Sequence, residues 1–232
     1  MTTKECWLKN NCKQLHCNDE NGCLILFKLN YLYDKAQIPV LLRKHRTLLI
    51  DSDGTDRKEF FELKAIQDNI EEFVNDGHQL YLHSSQVGNG KTSWSLRLLQ
   101  SYFNKIWLKT DLKCKALFIS VPSFLLALKA NISTPNEYYQ HINENVLSCD
   151  LVIWDDIGTK CATPFEHEHL LSIIDTRINS GKANIFTSNL NEQEMQDALG
   201  DRLASRICNI DYNIELRGSD KRSYTNKDKE GE

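Results

Sequence analysis

The sequence predicts an α/β domain with a parallel sheet covered by helices on both faces, preceded by a small cysteine-rich segment. Three observations predict it. From about residue 58 onward, short and nearly continuous apolar runs alternate with helix-like stretches, as expected of strands buried on both faces. A glycine-bearing turn, "VGNGKTS", lies between one such strand and a helix. And four of the eight cysteines, Cys6, Cys12, Cys17 and Cys23, fall near the start of the chain.

The 232 residues allow one sizeable domain with a core of its own and a small appendage. Hydrophobic content of 41% and charged content of 26% are ordinary for a soluble globular protein. A net charge of -4 excludes a basic nucleic-acid coat, so any DNA contact has to come from a local patch. No apolar run approaches the roughly 18 residues needed to cross a bilayer, and the start "MTTKECWLKNNCK" has no apolar signal core. The expectation is a cytoplasmic protein with no membrane partner.

Residues 1–56 read as the cysteine-rich N-terminal part and a linker. They contain "GCLILFKLNYLYDKA", an apolar and aromatic run with no clear period, then the basic connector "IPVLLRKHRTLLIDSDGTDRKE", whose "DSDGTD" has the composition of an exposed turn. The main domain spans 57–222 and a polar tail 223–232. It opens on "KEFFELKAIQDNIEEFVNDG", which places Phe61, Leu63, Ile66, Ile70 and Phe73 two to four apart, the last four at the three-to-four spacing of one amphipathic helix ending at Gly77. Strands are expected at "QLYLHS", "ALFISV", "LVIWDD" and "ANIFTSN", with helices at "KTSWSLRLLQSYFNKIW", "PSFLLALKA" and "FEHEHLLSIIDTRINS".

A strand, a glycine loop and a helix opening on Gly-Lys-Thr together make a phosphate cradle. Backbone N–H groups and the helix dipole there favour an anion. Gly88 and Gly90 let the backbone come close, with Asn89 between them and Ser93 behind. Lys91 would reach the β and γ phosphates of a nucleotide and Thr92 would coordinate Mg²⁺. The usual pattern, G-x-x-x-x-G-K-[ST], has its first glycine where this chain has Ser85. In "DLVIWDDIG" an apolar strand carries two aspartates to its C-terminal end, where open α/β sheets bind ligands. Asp155 would hold Mg²⁺, directly or through water, and Asp156 would orient or deprotonate an attacking water.

"VGNGKTS", "LVIWDDIG", "IFTSNL", "LGDRLASRI" and "LRGSDKR" occur in the order and spacing of the DnaC-type helicase loaders, which this sequence resembles over about residues 78–222. These are P-loop AAA+ ATPases similar to the IstB transposition ATPases. The resemblance implies ATP and Mg²⁺ as ligands and ATP hydrolysis as the reaction. It also implies Asn189 of "TSNL" as a γ-phosphate sensor and Arg206 as an arginine finger completing a neighbouring subunit's site. Family loaders carry a last sensor arginine in G-x-S-x-R. "GSDKR" makes that residue Arg222, with Lys221 as competitor. Asp156 stands where many AAA+ proteins have glutamate, from which a slow ATPase acting as a timed switch is expected. The implied partners are a replicative hexameric helicase, single-stranded DNA and further copies of the chain. The small size suits a phage or mobile-element protein.

The x5, x4, x5 spacing of Cys6, Cys12, Cys17 and Cys23 is looser than paired C-x-x-C. Four thiolates supply a tetrahedral zinc site, the first reading here, and His16 is a substitute ligand. An iron–sulfur cluster uses the same ligands, and no metal at all is the third reading. Similarity to DnaI-like loaders implies that such a domain would grip the helicase. His167 and His169 of "HEH" are two apart and share no helix face, so a solvated surface is expected. Lys129, Tyr138 and Tyr139 follow the second strand, where loaders contact single-stranded DNA; packed or plainly exposed tyrosines are the competing reading. Arg202, four residues before Arg206, reads as solvated or ion-paired. Two other functions remain open: an IstB-like ATPase regulating transposition, and a zinc-stapled nucleotide-binding adaptor with little hydrolysis. A metabolic kinase would give Arg206 no task.

Overall fold

A computed structural model of the chain describes residues 23–43, 48, 54–111, 113–159 and 162–221. Cys6, Cys12, His16, Cys17 and Arg222 lie outside the described residues, so the metal site and the arginine sensor expected there are not described.

The elements run α1 (Leu24–Lys35), a 3₁₀ turn (Val40–Leu42), α2 (Arg57–Asp68), α3 (Ile70–Asn75), β1 (Gln79–His83), α4 (Lys91–Ile106), β2 (Ala116–Ser120), α5 (Val121–Ser133), α6 (Glu137–Asn145), β3 (Leu151–Asp155), α7 (Pro164–Asn179), β4 (Ala183–Ser188), α8 (Glu192–Cys208) and β5 (Tyr212–Glu215). The five strands form one parallel sheet in the order β2-β3-β4-β1-β5. The α/β architecture with a parallel sheet between helix layers is the one expected from the sequence.

Alternation along each strand divides the core into two. Leu80, Leu82, Phe118, Ile153, Ile185 and Ile214 face one side and pack with residues of α1, α2, α3 and α4. Tyr81, Ile119, Val152, Trp154 and Phe186 face the other, against α5, α6, α7 and α8. Both faces are dry, which is why the strands read as unbroken apolar runs.

Three details differ from the sequence reading. The run at 24–35, which shows no clear period, is a helix whose N-cap is Cys23: its Sγ accepts from Leu26 N at 3.4 Å. Leu29, Leu32 and Tyr33 of that helix, with Ala36 and Ile38 after it, are buried in the first cluster. The single helix expected from 58 to Gly77 is two, broken at Asn69, whose backbone (φ -105°, ψ 28°) leaves the helical range. Phe61 is 57% exposed, and Phe60 instead packs on Trp94, ring centroids 5.2 Å apart. Helix α6 and strand β5 were not anticipated. β5 presents one buried residue, Ile214, among partly exposed neighbours, too little for an apolar run.

Candidate nucleotide site

The loop between β1 and α4 is built by its own side chains. Ser84 is buried, and its Oγ accepts from Gln86 N at 3.0 Å and from Asn89 Nδ2. Asn89, 1% exposed, also donates to Leu216 O at 3.1 Å, tying the loop to the strand end beside it. Gly88 (φ 79°) and Gly90 (φ 110°) take left-handed conformations that a side chain resists. A methyl at Gly88 would also collide with the Asp220 carboxylate. Lys91 starts α4, and its Nζ donates to Gln86 O at 2.9 Å and lies 3.4 Å from Asn89 Oδ1. The ammonium is thereby held at the loop, at the N-terminal end of a 16-residue helix whose first amides have no intrahelical acceptor.

The acidic side comes from the neighbouring strands. Thr92 Oγ1 donates to Asp155 Oδ1 at 2.9 Å, and Thr187 Oγ1 donates to the same oxygen at 2.8 Å. Thr187 Oγ1 in turn accepts from Asp156 N at 3.0 Å. Asp156 has φ 57°, a left-handed backbone turning the chain sharply as it leaves the sheet. Burial pushes the Asp155 carboxyl up to about 6; the Thr187 and Thr92 hydroxyls and Lys91 pull it back down, and the neighbouring Asp156 adds to the rise. Asn189 follows β4. Its segment is steadied by Ser188 Oγ donating to Ile157 O at 2.6 Å and by Tyr81 Oη donating to Leu190 O at 2.7 Å.

Together these groups line a cavity of about 410 Å³ whose walls include Gly88, Asn89, Gly90, Lys91, Thr92 and Ser93 on one side and Asp155, Asp156 and Asn189 on the other. That is a volume suited to a nucleotide-sized ligand. Ser85 is exposed and outside this lining, and the serine that organises the loop is Ser84. Thr187 is the site residue that sequence reasoning passed over, although it sits in the same "TSN" triplet as Asn189.

No family model matches the chain. The replicative helicase loader DnaC of Buchnera aphidicola subsp. Schizaphis graminum (strain Sg) is 27% identical over 146 residues, covering 62% of this chain and 56% of that protein. The chain is similar to the DnaC-type helicase loaders. It spans about half the length of the curated relatives it matches. The crystal structure of DnaI overlays with a TM-score of 0.59 at 19% identity, covering 80% of this chain and 94% of that one. AMPPCP-bound DnaA from Aquifex aeolicus overlays at 0.54 with 22% identity, covering 78% of this chain and 53% of that one. The chain shares the fold of these structures.

Other residues singled out in the loader-like sequence pattern lie around this frame. Arg206 and Arg202 are on α8 beyond the kink at Gly200 (φ 75°, ψ 157°), and neither lines the cavity of its own chain. Lys221 N donates to Gly88 O at 3.0 Å, which brings the chain after β5 onto the glycine loop. Asp56 anchors that segment by accepting from Arg217 N and Gly218 N, both at 2.7 Å. Lys129 pairs with buried Glu166 at 3.1 Å. Tyr139 stacks on Phe124, centroids 5.8 Å apart, and Tyr138 is partly buried on the same cluster. His169 joins these rings, and His167 lies 3.7 Å from Glu168. Among the described residues no group of three potential metal ligands is gathered, and no helix is long and apolar enough to cross a membrane.

Proposed function

We propose that the chain is an ATP-dependent loader that binds a replicative hexameric helicase and delivers it onto single-stranded DNA. The observation that carries the nucleotide part is the meeting of Thr92, Thr187 and Asp155 beside the Lys91 loop, with Asn189 in the same cavity lining. The helicase part rests on the likeness to DnaC.

In this reading the amides of the Gly88–Thr92 turn receive the β phosphate, and Lys91 exchanges its contact with Gln86 O for the β and γ oxygens. Mg²⁺ fits the donor set: a threonine hydroxyl and a carboxylate oxygen lie 2.9 Å apart facing the cavity, the hard oxygen ligands this ion prefers. When bound it neutralises charge on the phosphate oxygens. Thr187 keeps Asp155 aimed at that position. Asp156 orients the attacking water, whose oxygen forms a bond to the γ phosphorus as the bond to the bridging β oxygen breaks; Asn189 donates to the γ phosphate. Arg206 of an adjoining copy supplies positive charge to the transferring group. Asp156 lacks the extra methylene of the glutamate common at its position, and turnover below roughly 10 per second, a common enzyme value, is expected.

The test is ATP hydrolysis by the full chain, alone and with single-stranded DNA and a captured hexameric helicase. Stimulation by these partners is expected. Lys91→Ala should abolish nucleotide uptake, measured with a fluorescent ATP analogue, without unfolding the chain. A folded wild-type chain that takes up no ATP with magnesium defeats the proposal.

A further inference from the structure

Asp175 projects from the last turns of α7 toward the second half of α8. Its Oδ1 lies 2.6 Å from Arg206 Nε, and its Oδ2 lies 3.9 Å from Arg202 Nη2. The aspartate side chain is 20% exposed and that of Arg206 46%. Although Nε is close, no N–H is aligned on Asp175 Oδ1, so the contact is one of charge and position. Neither terminal amino group of Arg206 makes a hydrogen bond among the described residues. The guanidinium is gripped at its inner edge, and the planar outer fork, which suits bidentate phosphate recognition, is left for another group. That group is not the chain's own nucleotide, because Arg206 is absent from the lining of its own cavity.

We propose that Asp175 is a positioning residue for Arg206. It holds the guanidinium at Nε so that the terminal amino groups meet the phosphate of a nucleotide bound in an adjoining copy of this chain. The proposal rests on the loader reading above and adds to it the residue that aims the finger.

Two physical arguments favour it. An unrestrained arginine carries roughly 2 kcal/mol of rotamer entropy that engaging a ligand would cost, and a carboxylate beside Nε restricts the side chain beforehand. Arg202 and Arg206 are also like charges four apart on one helix, which repel. Asp175 lies between them and offsets that repulsion. An ordinary half-exposed ion pair contributes about 0–1 kcal/mol to stability, so its loss should be felt in the rate rather than in the fold.

The experiment measures hydrolysis by the full chain with single-stranded DNA, comparing wild type, Asp175→Asn, Asp175→Glu and Arg206→Ala. Asp175→Asn is expected to lower kcat about tenfold, equivalent to about 1.4 kcal/mol, with KM for ATP and the melting temperature essentially unchanged. Asp175→Glu should recover part of the rate. Wild-type chain is then mixed with excess Lys91→Ala subunits, whose own sites are dead but whose fingers are intact. Adding Asp175→Asn to those donor subunits should slow the wild-type sites further. If Asp175→Asn keeps full kcat, or if the two mixtures behave alike, the positioning role is wrong. A loss of ATP affinity or of folding in Asp175→Asn would make the residue structural and equally overturn it. Should Arg206→Ala retain full hydrolysis, the finger itself is misassigned and the reading of the site falls with it.

Discussion

At the scale of single residues, Thr187 organises the acidic side of the site. Its hydroxyl donates to Asp155 and accepts from the Asp156 amide, fixing both aspartates at once. Asp155 itself shows the tension of a binding site. Burial lifts its carboxyl from an ordinary 3.8 to about 6, so ionising it opposes folding in the absence of a counter-ion. With the folded value above the unfolded one, its favourable contribution is complete below pH 3.8 and is lost as the pH rises through about 6. Asp155→Asn is accordingly expected to raise the melting temperature of the nucleotide-free protein at neutral pH and to flatten its dependence between those two values. Thermal unfolding over a pH series checks this, and a lower melting temperature for the variant at neutral pH would contradict it. Lys91 and Thr92 were legible in the sequence because the loop, its glycines and the following helix are contiguous. Thr187 was not, because both its partners lie at the end of another strand, β3, about 30 residues away in the chain. Ser84 was missed for a narrower reason: the motif looks to position 85 for a glycine, while the loop's actual brace is one residue earlier.

At the scale of elements, Arg177 binds α7 to the sheet. It is fully buried, and it donates from Nε to Asn184 Oδ1 at 2.7 Å, from Nη1 to Val146 O and Cys149 O, and from Nη2 to Ala183 O at 2.7 Å. Asn184 Oδ1 also accepts from Trp154 Nε1 at 3.1 Å, and Asn184 Nδ2 donates to Gln79 Oε1 at 2.8 Å. This network gathers the N-terminal ends of β1 and β4 and the turn before β3, with the Trp154 indole reaching in from further along β3. Removing the arginine strands several buried acceptors and leaves a void, so Arg177→Ala is expected to cost about 3–5 kcal/mol. Denaturant unfolding measures this; a loss under about 1 kcal/mol, the scale of an exposed ion pair, would mean that the network contributes little. Periodicity marked α7 as a helix, and its start carries a capping box of Thr163 and Glu166 with Pro164 between them. Nothing local announces that one of its charged residues lies in the core. The split of α2 from α3 was likewise hidden, since the apolar spacing runs on across Asn69 while the backbone does not.

At the scale of the whole molecule, the segment before the α/β core belongs to its packing. Phe118 N donates to Ala36 O at 2.9 Å, and Tyr33 meets Phe103 of α4 edge-to-face, ring centroids 5.2 Å apart. Arg43 adds hydrogen bonds to Ile38 O at 3.0 and 2.9 Å, closing the turn after α1. Truncating Leu32, 1% exposed in the first cluster, is expected to destabilise the α/β domain by about 2–5 kcal/mol. Chemical denaturation of Leu32→Ala, followed by loss of nucleotide binding, reports whether the two unfold together. If nucleotide binding outlasts the unfolding of α1, the helix is an accessory and not part of the cooperative unit.

The chain's order of residues by itself determined the class of fold, the glycine loop ahead of Lys91 and the pair of aspartates at a strand end. These depend on short-range facts: unbroken apolar runs, glycines where the backbone must turn back on itself, a lysine and a threonine opening a helix. Only the tertiary structure decided that β4 lies between β1 and β3, which brings Thr187 onto Asp155, and that α7 and α8 meet so that Asp175 touches Arg206. It also decided that α1 is core. The physical reason is common to all three. Strand order and helix packing are set by burying apolar surface over the entire sheet, a long-range condition that leaves no mark on the few residues whose polar groups it happens to bring together.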